Sequence, residues 1–150
     1  MMNAILHARL AHYAQSHQDR RNELIHCVCV PAILFAIIGL IAALNLGLAL
    51  LAIALVLVYY ARLGKVPALR MALVMIGMLV IWIWLIEPAI GVADAAWVAV
   101  LIFALAWVGQ FVGHHYEGRK PSFLDDVQYL LIGPLFVIAV LTRSVPAPSP

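Results

Sequence analysis

Long runs of apolar residues cover most of this chain, and polar residues gather in the short segments between them. A helix crosses a bilayer core about 30 Å thick with roughly 20 residues, because each residue adds about 1.5 Å. Four of the runs approach that length. The pattern therefore predicts four spanning helices, at residues 24–44, 46–63, 68–86 and 95–112.

The segments between these runs contain residues that commonly start or end helices. They are Asn45 and Gly47 after the first run, Gly64 and Pro67 after the second, and Glu87, Pro88, Gly91 and Asp94 after the third. Asp94 is suited to cap the fourth helix. Short loops are therefore expected between consecutive spans.

A fifth apolar run, residues 127–141, is only about 15 residues long and has Gly133 and Pro134 in its middle. Such a run suits a short re-entrant or interfacial helix better than a span, although a short fifth span stays open. No second domain fits in the chain. Residues 1–145 are therefore predicted to form a single membrane domain, followed by a disordered tail at 146–150.

Composition also favours a membrane protein. Hydrophobic residues make up 66% of the chain and charged residues 11%, whereas an average soluble domain has about 25% charged residues. The basic residues are scattered and the net charge is only +2, which excludes the clustered basic face needed to bind nucleic acid. The predicted fold class is all-α, an integral membrane helical bundle surrounded by lipid.

Lysine and arginine residues alternate between the two ends of the predicted spans. The loops after the first and third runs have none. Basic residues precede the first run, surround the second loop and follow the fourth run, and they are Arg9, Arg20, Arg21, Arg62, Lys65, Arg70, Arg119 and Lys120. By the positive-inside rule, the N-terminus and residues 113–126 are predicted to share the cytoplasmic side.

Five of the six histidines fall in the two segments that this topology places together: His12, His17, His26, His114 and His115. Tyr13 lies four residues before His17, so the two share a helix face. The same spacing relates Asn22 to His26. On one continuous helix His17 and His26 would point to opposite sides. Their joint use requires a break, predicted at residues 18–21, after which Asn22 could cap the first span.

Near the C-terminus, Gln110, His114 and Glu117 follow i, i+4, i+7 spacing. They would form one polar stripe if the fourth helix continued past residue 112 to a stop at Gly118. Ionisable groups this close to hydrocarbon need a partner, a wet cavity or a metal. The two stripes therefore favour a metal site whose ligands are His17, His26, His114 and Glu117.

The same polar stripes are compatible with other functions. Interfacial histidines often only anchor helix ends, as expected for a non-enzymatic lipid-binding or scaffold protein. A haem-binding cytochrome is a further alternative, but its paired histidines usually lie within spans. His115 lies about 100° around the helix from His114, so it is expected beside the ligands or in solvent.

The two histidine blocks resemble those of the Mpo1-like family. The matching pattern covers nearly the whole chain, and it comprises Tyr13-x3-His17-x4-Asn22-x3-His26-x4-Pro31, then Gln110-Phe-Val-Gly-His114-x2-Glu117-Gly-Arg-Lys-Pro121, and finally Leu131-Ile-Gly-Pro134. The resemblance implies an iron(II)-dependent dioxygenase that cleaves long-chain 2-hydroxy fatty acids with O2, giving CO2 and the acid one carbon shorter.

The resemblance, together with the chemistry of the proposed reaction, implies roles for individual residues. The catalytic, metal-binding histidines would be His17, His26 and His114. Partners for their second nitrogens could come from Tyr13, Asn22 or Gln110, and Arg119 or Lys120 could hold the substrate carboxylate. A bacterial inner membrane is the expected location, or the endoplasmic reticulum for eukaryotic relatives, with the site on the cytoplasmic face. A homo-oligomer is left open.

Overall fold

The computed structural model describes residues 4–118 and 128–146, and every regular element among them is helical. The elements are α1 (Ala4–Gln15), α2 (Arg20–Leu44), α3 (Leu46–Leu63), α4 (Lys65–Ile81), a π-helical turn (Trp82–Ile86), α5 (Glu87–Ile90), α6 (Val92–Glu117) and α7 (Gln128–Leu141). The predicted all-α class is confirmed.

Four helical segments are long and apolar enough to cross a membrane, as the apolar runs predicted: Arg20–Leu44, Leu46–Leu63, Lys65–Ile90 and Val92–Glu117. Three of them are longer than the predicted spans. The apolar pattern ends at the first polar residue, whereas backbone hydrogen bonding continues into the polar region at the membrane surface. Helix α2 therefore begins at Arg20, and α6 continues to Glu117.

The third span shows where the sequence-based boundary was wrong. Pro88 was expected to lie beyond its end, but the helix continues to Ile90. The preceding turn is wider than an α-turn, and Glu87 N–H donates to the carbonyl of Trp82, five residues back. Proline is tolerated in the first turn of the segment that follows. The span ends at Gly91, whose φ of 85° favours glycine.

The other predicted helix ends agree in part with the structure. Asn45 caps α3, because its side-chain oxygen accepts a hydrogen bond from Leu48 N at 3.1 Å. Asp94 does not cap α6. That helix begins at Val92, so Asp94 lies inside its first turn, where a carboxylate still interacts favourably with the helix dipole.

The chain divides into two compact units. We call Met1–Pro31 with Ala106–Pro150 the histidine unit, and Ala32–Leu105 the hairpin unit. The prediction of a single domain over residues 1–145 stays a prediction. The boundaries fall within α2 and α6, so each of these helices contributes residues to both units.

The hairpin unit has a tryptophan at the centre of its packing. Trp82 is buried, its indole N–H donates to the carbonyl of Phe35 at 2.7 Å, and the two rings stack with centroids 4.8 Å apart. Gly39 leaves the space that the indole fills, since a Cβ there would overlap it. This large ring can be buried because its indole N–H has a hydrogen-bond partner.

Most apolar side chains of the spans face outward. No more than 22% of the most apolar window of any span is buried. Large aliphatic side chains that are more than half exposed occur along the spans: Leu51, Leu55, Leu69, Leu73 and Leu101. Such a surface is unfavourable in water and is satisfied by lipid.

Helix α7 differs from the spans. It has 14 residues, too few to cross a bilayer core at about 1.5 Å each. Its residues 132–137 are all buried, and the helix packs on α1 within the histidine unit. A short helix was predicted for residues 127–141. Its placement in the membrane, as a re-entrant or interfacial helix, stays a prediction. The predicted disordered tail lies, from residue 147 onward, outside the described residues.

Candidate metal centre

The first histidine of the centre lies in the loop between α1 and α2. Helix α1 ends at Gln15 and α2 begins at Arg20, so the break that joint use of His17 and His26 requires is present. It begins earlier than predicted and includes His17 itself. Asn22 is not the cap of α2, because the helix begins two residues before it. Asp19 occupies that position, and its carboxylate accepts a hydrogen bond from Arg21 N at 2.7 Å.

The other two histidines lie on long helices. His26 is in the second turn of α2, and His114 is in the last turn of α6. The predicted continuation of α6 past Val112 and its stop at Gly118 are both confirmed. Gly118 has a φ of 67°, and its N–H donates to the carbonyl of His114 at 3.1 Å.

The three histidines converge. The ring centroid of His17 lies 4.1 Å from that of His26 and 5.2 Å from that of His114, and the last two rings are 4.9 Å apart. All three side chains are buried, and one ligand nitrogen from each lies within 4.8 Å of the others. Buried imidazoles at such distances can hold one metal ion.

Backbone carbonyls fix the tautomer of two of these rings. His17 Nδ1 lies 2.8 Å from the carbonyl oxygen of Tyr13, and His26 Nδ1 lies 3.0 Å from that of Asn22. A carbonyl only accepts hydrogen bonds, so in each ring Nδ1 carries the proton and Nε2 keeps its lone pair free. This arrangement is typical of histidine ligands to metals.

Two ring nitrogens at the centre have no hydrogen-bond partner in the part of the chain that the structure describes. Among the described residues, His17 Nε2 and His114 Nδ1 are buried without a hydrogen-bond partner. Burial also lowers the pKa of His17 to about 4, which keeps the ring neutral and able to donate a lone pair. Unpaired buried nitrogens are costly in a protein interior, and a bound metal ion would satisfy them.

Glu117 was predicted to be a fourth ligand, but the structure places its carboxylate elsewhere. One oxygen accepts from Gln18 N at 2.9 Å, and the other accepts from Asp19 N at 2.9 Å and from Asn22 Nδ2 at 3.1 Å. The converging group in the described part of the chain consists of three histidines without Glu117. The backbone amides of the α1–α2 loop attract the carboxylate because they are otherwise unpaired donors.

Tyr13 supports His17 in two ways. Its carbonyl fixes the tautomer, and its ring stacks on the imidazole with centroids 4.2 Å apart and planes 8° from parallel. Burial raises the pKa of Tyr13, so the phenol stays neutral. Phe136 of α7 lies beside both rings, 4.9 Å from Tyr13 and 5.2 Å from His17. Helix α7 therefore gives the centre an apolar wall.

The remaining predicted site residues have different surroundings. The amide nitrogen of Gln110 is buried without a partner among the described residues, so it is not bound to a histidine. Asn22 is fully buried, and its backbone carbonyl accepts a hydrogen bond from His26. Its side-chain nitrogen donates to the carbonyl of Ser16 in the α1–α2 loop. His115 is exposed. Arg119 and Lys120 lie outside the described residues.

Two glycines that sequence reasoning missed bring α6 close to α2. A Cβ at Gly109 would lie 2.5 Å from Cys29 Sγ, and one at Gly113 would lie 2.6 Å from Asn22 Oδ1. Small residues at i and i+4 let two helix backbones approach closely in a membrane protein. The four-residue spacing of the two glycines could have predicted this close approach from the sequence. The close approach brings His114 next to His26.

Alanine at Gly113 is expected to destabilise the centre. Asn22 cannot turn away from a new Cβ without losing its bonds to Ser16 O and Glu117. We expect a loss of about 1–3 kcal/mol in stability, the usual cost of overpacking, together with weaker metal binding. Gly77→Ala is the control, because nothing lies within 4 Å of its Cβ position. Equal melting temperatures and metal contents for the two variants would contradict the requirement for close packing.

Comparison with known proteins shows the family of this chain. Residues 4–145 match the family described as 2-hydroxy-palmitic acid dioxygenase Mpo1-like. The protein named 2-hydroxy-palmitic acid dioxygenase MPO1 of Saccharomyces cerevisiae is 30% identical over 139 residues, covering 89% of this chain and 77% of the yeast protein. No solved structure matches the chain. The match runs from α1 to beyond α7 and includes all three converging histidines, so the chain belongs to the Mpo1-like family.

Proposed function

We propose that this protein is an iron(II)-dependent dioxygenase that cleaves long-chain 2-hydroxy fatty acids to CO2 and the acid one carbon shorter. The observation that carries the proposal is the set of three buried histidines whose ligand atoms lie within 4.8 Å of one another. The printed name of the yeast relative, a 2-hydroxy-palmitic acid dioxygenase, supports the substrate class. Membership of the family supports the general role of a 2-hydroxy fatty acid dioxygenase.

The donor set suits the metal that this reaction requires. Imidazole binds iron, zinc, copper and nickel, so histidines alone do not select among them. The reaction R-CH(OH)-COOH + O2 → R-COOH + CO2 + H2O removes four electrons from the acid, which one O2 accepts. Iron(II), when bound, would supply the redox chemistry with O2 that zinc lacks.

The protein's own residues would provide orientation and exclusion of water. A 2-hydroxy acid carries its hydroxyl and carboxylate on adjacent carbons, so both oxygens can bind one metal ion. We propose that Arg119 or Lys120 pairs with the carboxylate. The aromatic rings of Tyr13 and Phe136 would keep water from the His17 side. The alkyl chain would extend along apolar helix surfaces.

We also propose that the centre faces the cytoplasm, as the alternating basic loops predict. The test labels single cysteines at Ser16 and Ser122 with an impermeant reagent, after Cys27 and Cys29 are replaced by alanine. Both positions should react only when the cytoplasmic side is open to the reagent. Labelling from opposite sides would contradict the proposed orientation.

Metal analysis of anaerobically purified protein tests the proposal most directly. We expect about one iron ion per chain, because a single cluster of three histidines offers one site. Purified protein that neither retains iron nor takes it up would instead favour a non-enzymatic lipid-binding or scaffold protein.

A further inference from the structure

We infer that Glu117 is a positioning residue, whose carboxylate fastens the loop carrying His17 to the last turn of α6. The inference rests on the proposed metal centre, and it replaces the expectation that Glu117 binds the metal itself.

His17 needs such an attachment because it does not lie on a spanning helix that would fix its position. His26 and His114 lie within α2 and α6, which close packing at Gly109 and Gly113 holds together. His17 lies in the short loop after α1. Loop backbone is more mobile than helix backbone, and a metal ligand displaced by an ångström loses much of its contribution.

The contacts of Glu117 act on the two residues directly after His17. Both carboxylate oxygens are engaged, one with Gln18 N and one with Asp19 N, each at 2.9 Å. Hydrogen bonds to a charged acceptor are about twice as strong as neutral ones. Because two adjacent amides bind two oxygens of one group, the loop is held in orientation as well as in position.

Asn22 completes the attachment. Its side-chain nitrogen donates to Glu117 at 3.1 Å and to the carbonyl of Ser16 at 3.1 Å. The loop is therefore held on both sides of His17, before it through Ser16 and after it through Gln18 and Asp19. Asn22 itself is fully buried, and both of its side-chain bonds are partly buried.

The position of Glu117 in α6 supports the same conclusion. A carboxylate at the C-terminal end of a helix is disfavoured by the negative end of the helix dipole. Glu117 is the last residue of α6, but its oxygens bind amides at the N-terminal end of α2, where negative charge is favoured. The favourable contact with the N-terminal end of α2 therefore offsets the unfavourable position of the carboxylate at the C-terminal end of α6. The last turn of α6 thus contains His114 and also positions His17 through Glu117.

Amide exchange in the metal-free, full-length chain tests the attachment without relying on metal or activity. The variants are Glu117→Ala, the milder Glu117→Gln, and Glu23→Gln as a matched removal of a carboxylate in the first turn of α2. Exchange at Gln18 and Asp19 should rise at least about 10-fold in Glu117→Ala and stay near wild type in Glu23→Gln. Unchanged exchange in Glu117→Ala would overturn the inference. If that variant does not fold, the same criterion applies to Glu117→Gln.

Cobalt(II) separates a positioning residue from a ligand, because its visible absorption reports the atoms bound to it. We expect Glu117→Gln to weaken cobalt binding about 10- to 100-fold and to keep the wild-type absorption maxima at saturation. Shifted maxima with unchanged amide exchange would show that Glu117 is a ligand and would overturn the inference. If wild type binds no cobalt, the proposed metal centre fails, whereas amide exchange still decides whether Glu117 fastens the loop.

Discussion

Replacing His17, His26 or His114 by alanine is expected to abolish metal retention while leaving the protein folded. Removal of a residue that only supports a ligand typically costs about 10- to 100-fold in metal affinity, so loss of a ligand should exceed about 100-fold. The fold should tolerate the change. His17 Nε2 and His114 Nδ1 have no partner in the described part of the protein, so the variants at His17 and His114 remove atoms that were unfavourably buried.

The measurement is metal content after anaerobic purification, together with the thermal unfolding of each variant in detergent. His7→Ala is the matched control, because His7 is an exposed residue of α1, outside the converging group. It should retain metal like wild type. Stoichiometric metal in all three site variants would show that the histidines are structural, and the proposed metal centre would then have to be abandoned.

The sequence predicted the spans because lipid imposes a simple requirement on them. A segment that crosses hydrocarbon must be apolar over its whole length and satisfy its backbone internally, so composition alone marks it. The same requirement made the histidines conspicuous. His26 and His114 interrupt apolar surroundings near the ends of their helices, and the alternating basic loops placed those ends together. The structure brings them together with His17.

The role of Glu117 could not be predicted from the same pattern. Helical spacing correctly placed Glu117 one turn after His114, but it does not say what the carboxylate contacts. Two of its three partners, Gln18 N and Asp19 N, are backbone atoms far away in sequence, and backbone donors leave no mark on the sequence. The shape of the loop, which follows from α1 ending at Gln15, decides this contact.

The end of the third span was mispredicted for a related reason. Proline is a strong signal for a helix end because it lacks an N–H group. At Pro88 the preceding turn widens, and Glu87 N–H reaches back to Trp82, which lets the helix continue. Such a turn is a cooperative property of several residues. Single-residue preferences therefore give the wrong boundary there, although the existence of the span is predicted correctly.

Protein loaded with iron(II) is expected to consume O2 and a long-chain 2-hydroxy acid in equal amounts. It should release CO2 and the acid one carbon shorter without added 2-oxoglutarate or NADH. The electron balance requires this result, since cleavage yields the four electrons that one O2 accepts. Zinc(II) should bind to the same histidines but support no turnover, because it cannot exchange electrons with O2. The zinc-loaded protein is thus a control with the same fold and an occupied site.

Mass spectrometry of the products formed under 18O2 decides between the alternatives. A shortened acid that carries one labelled oxygen supports oxidative cleavage, because the carboxyl carbon of the product gains an oxygen that the substrate did not have. Glu23→Gln should give the same labelled product as wild type, whereas His114→Ala should give none. Turnover with zinc, or an absolute need for an added reductant, would contradict the proposed reaction. The three buried histidines would then remain a candidate membrane metal site whose reaction has to be sought among other substrates.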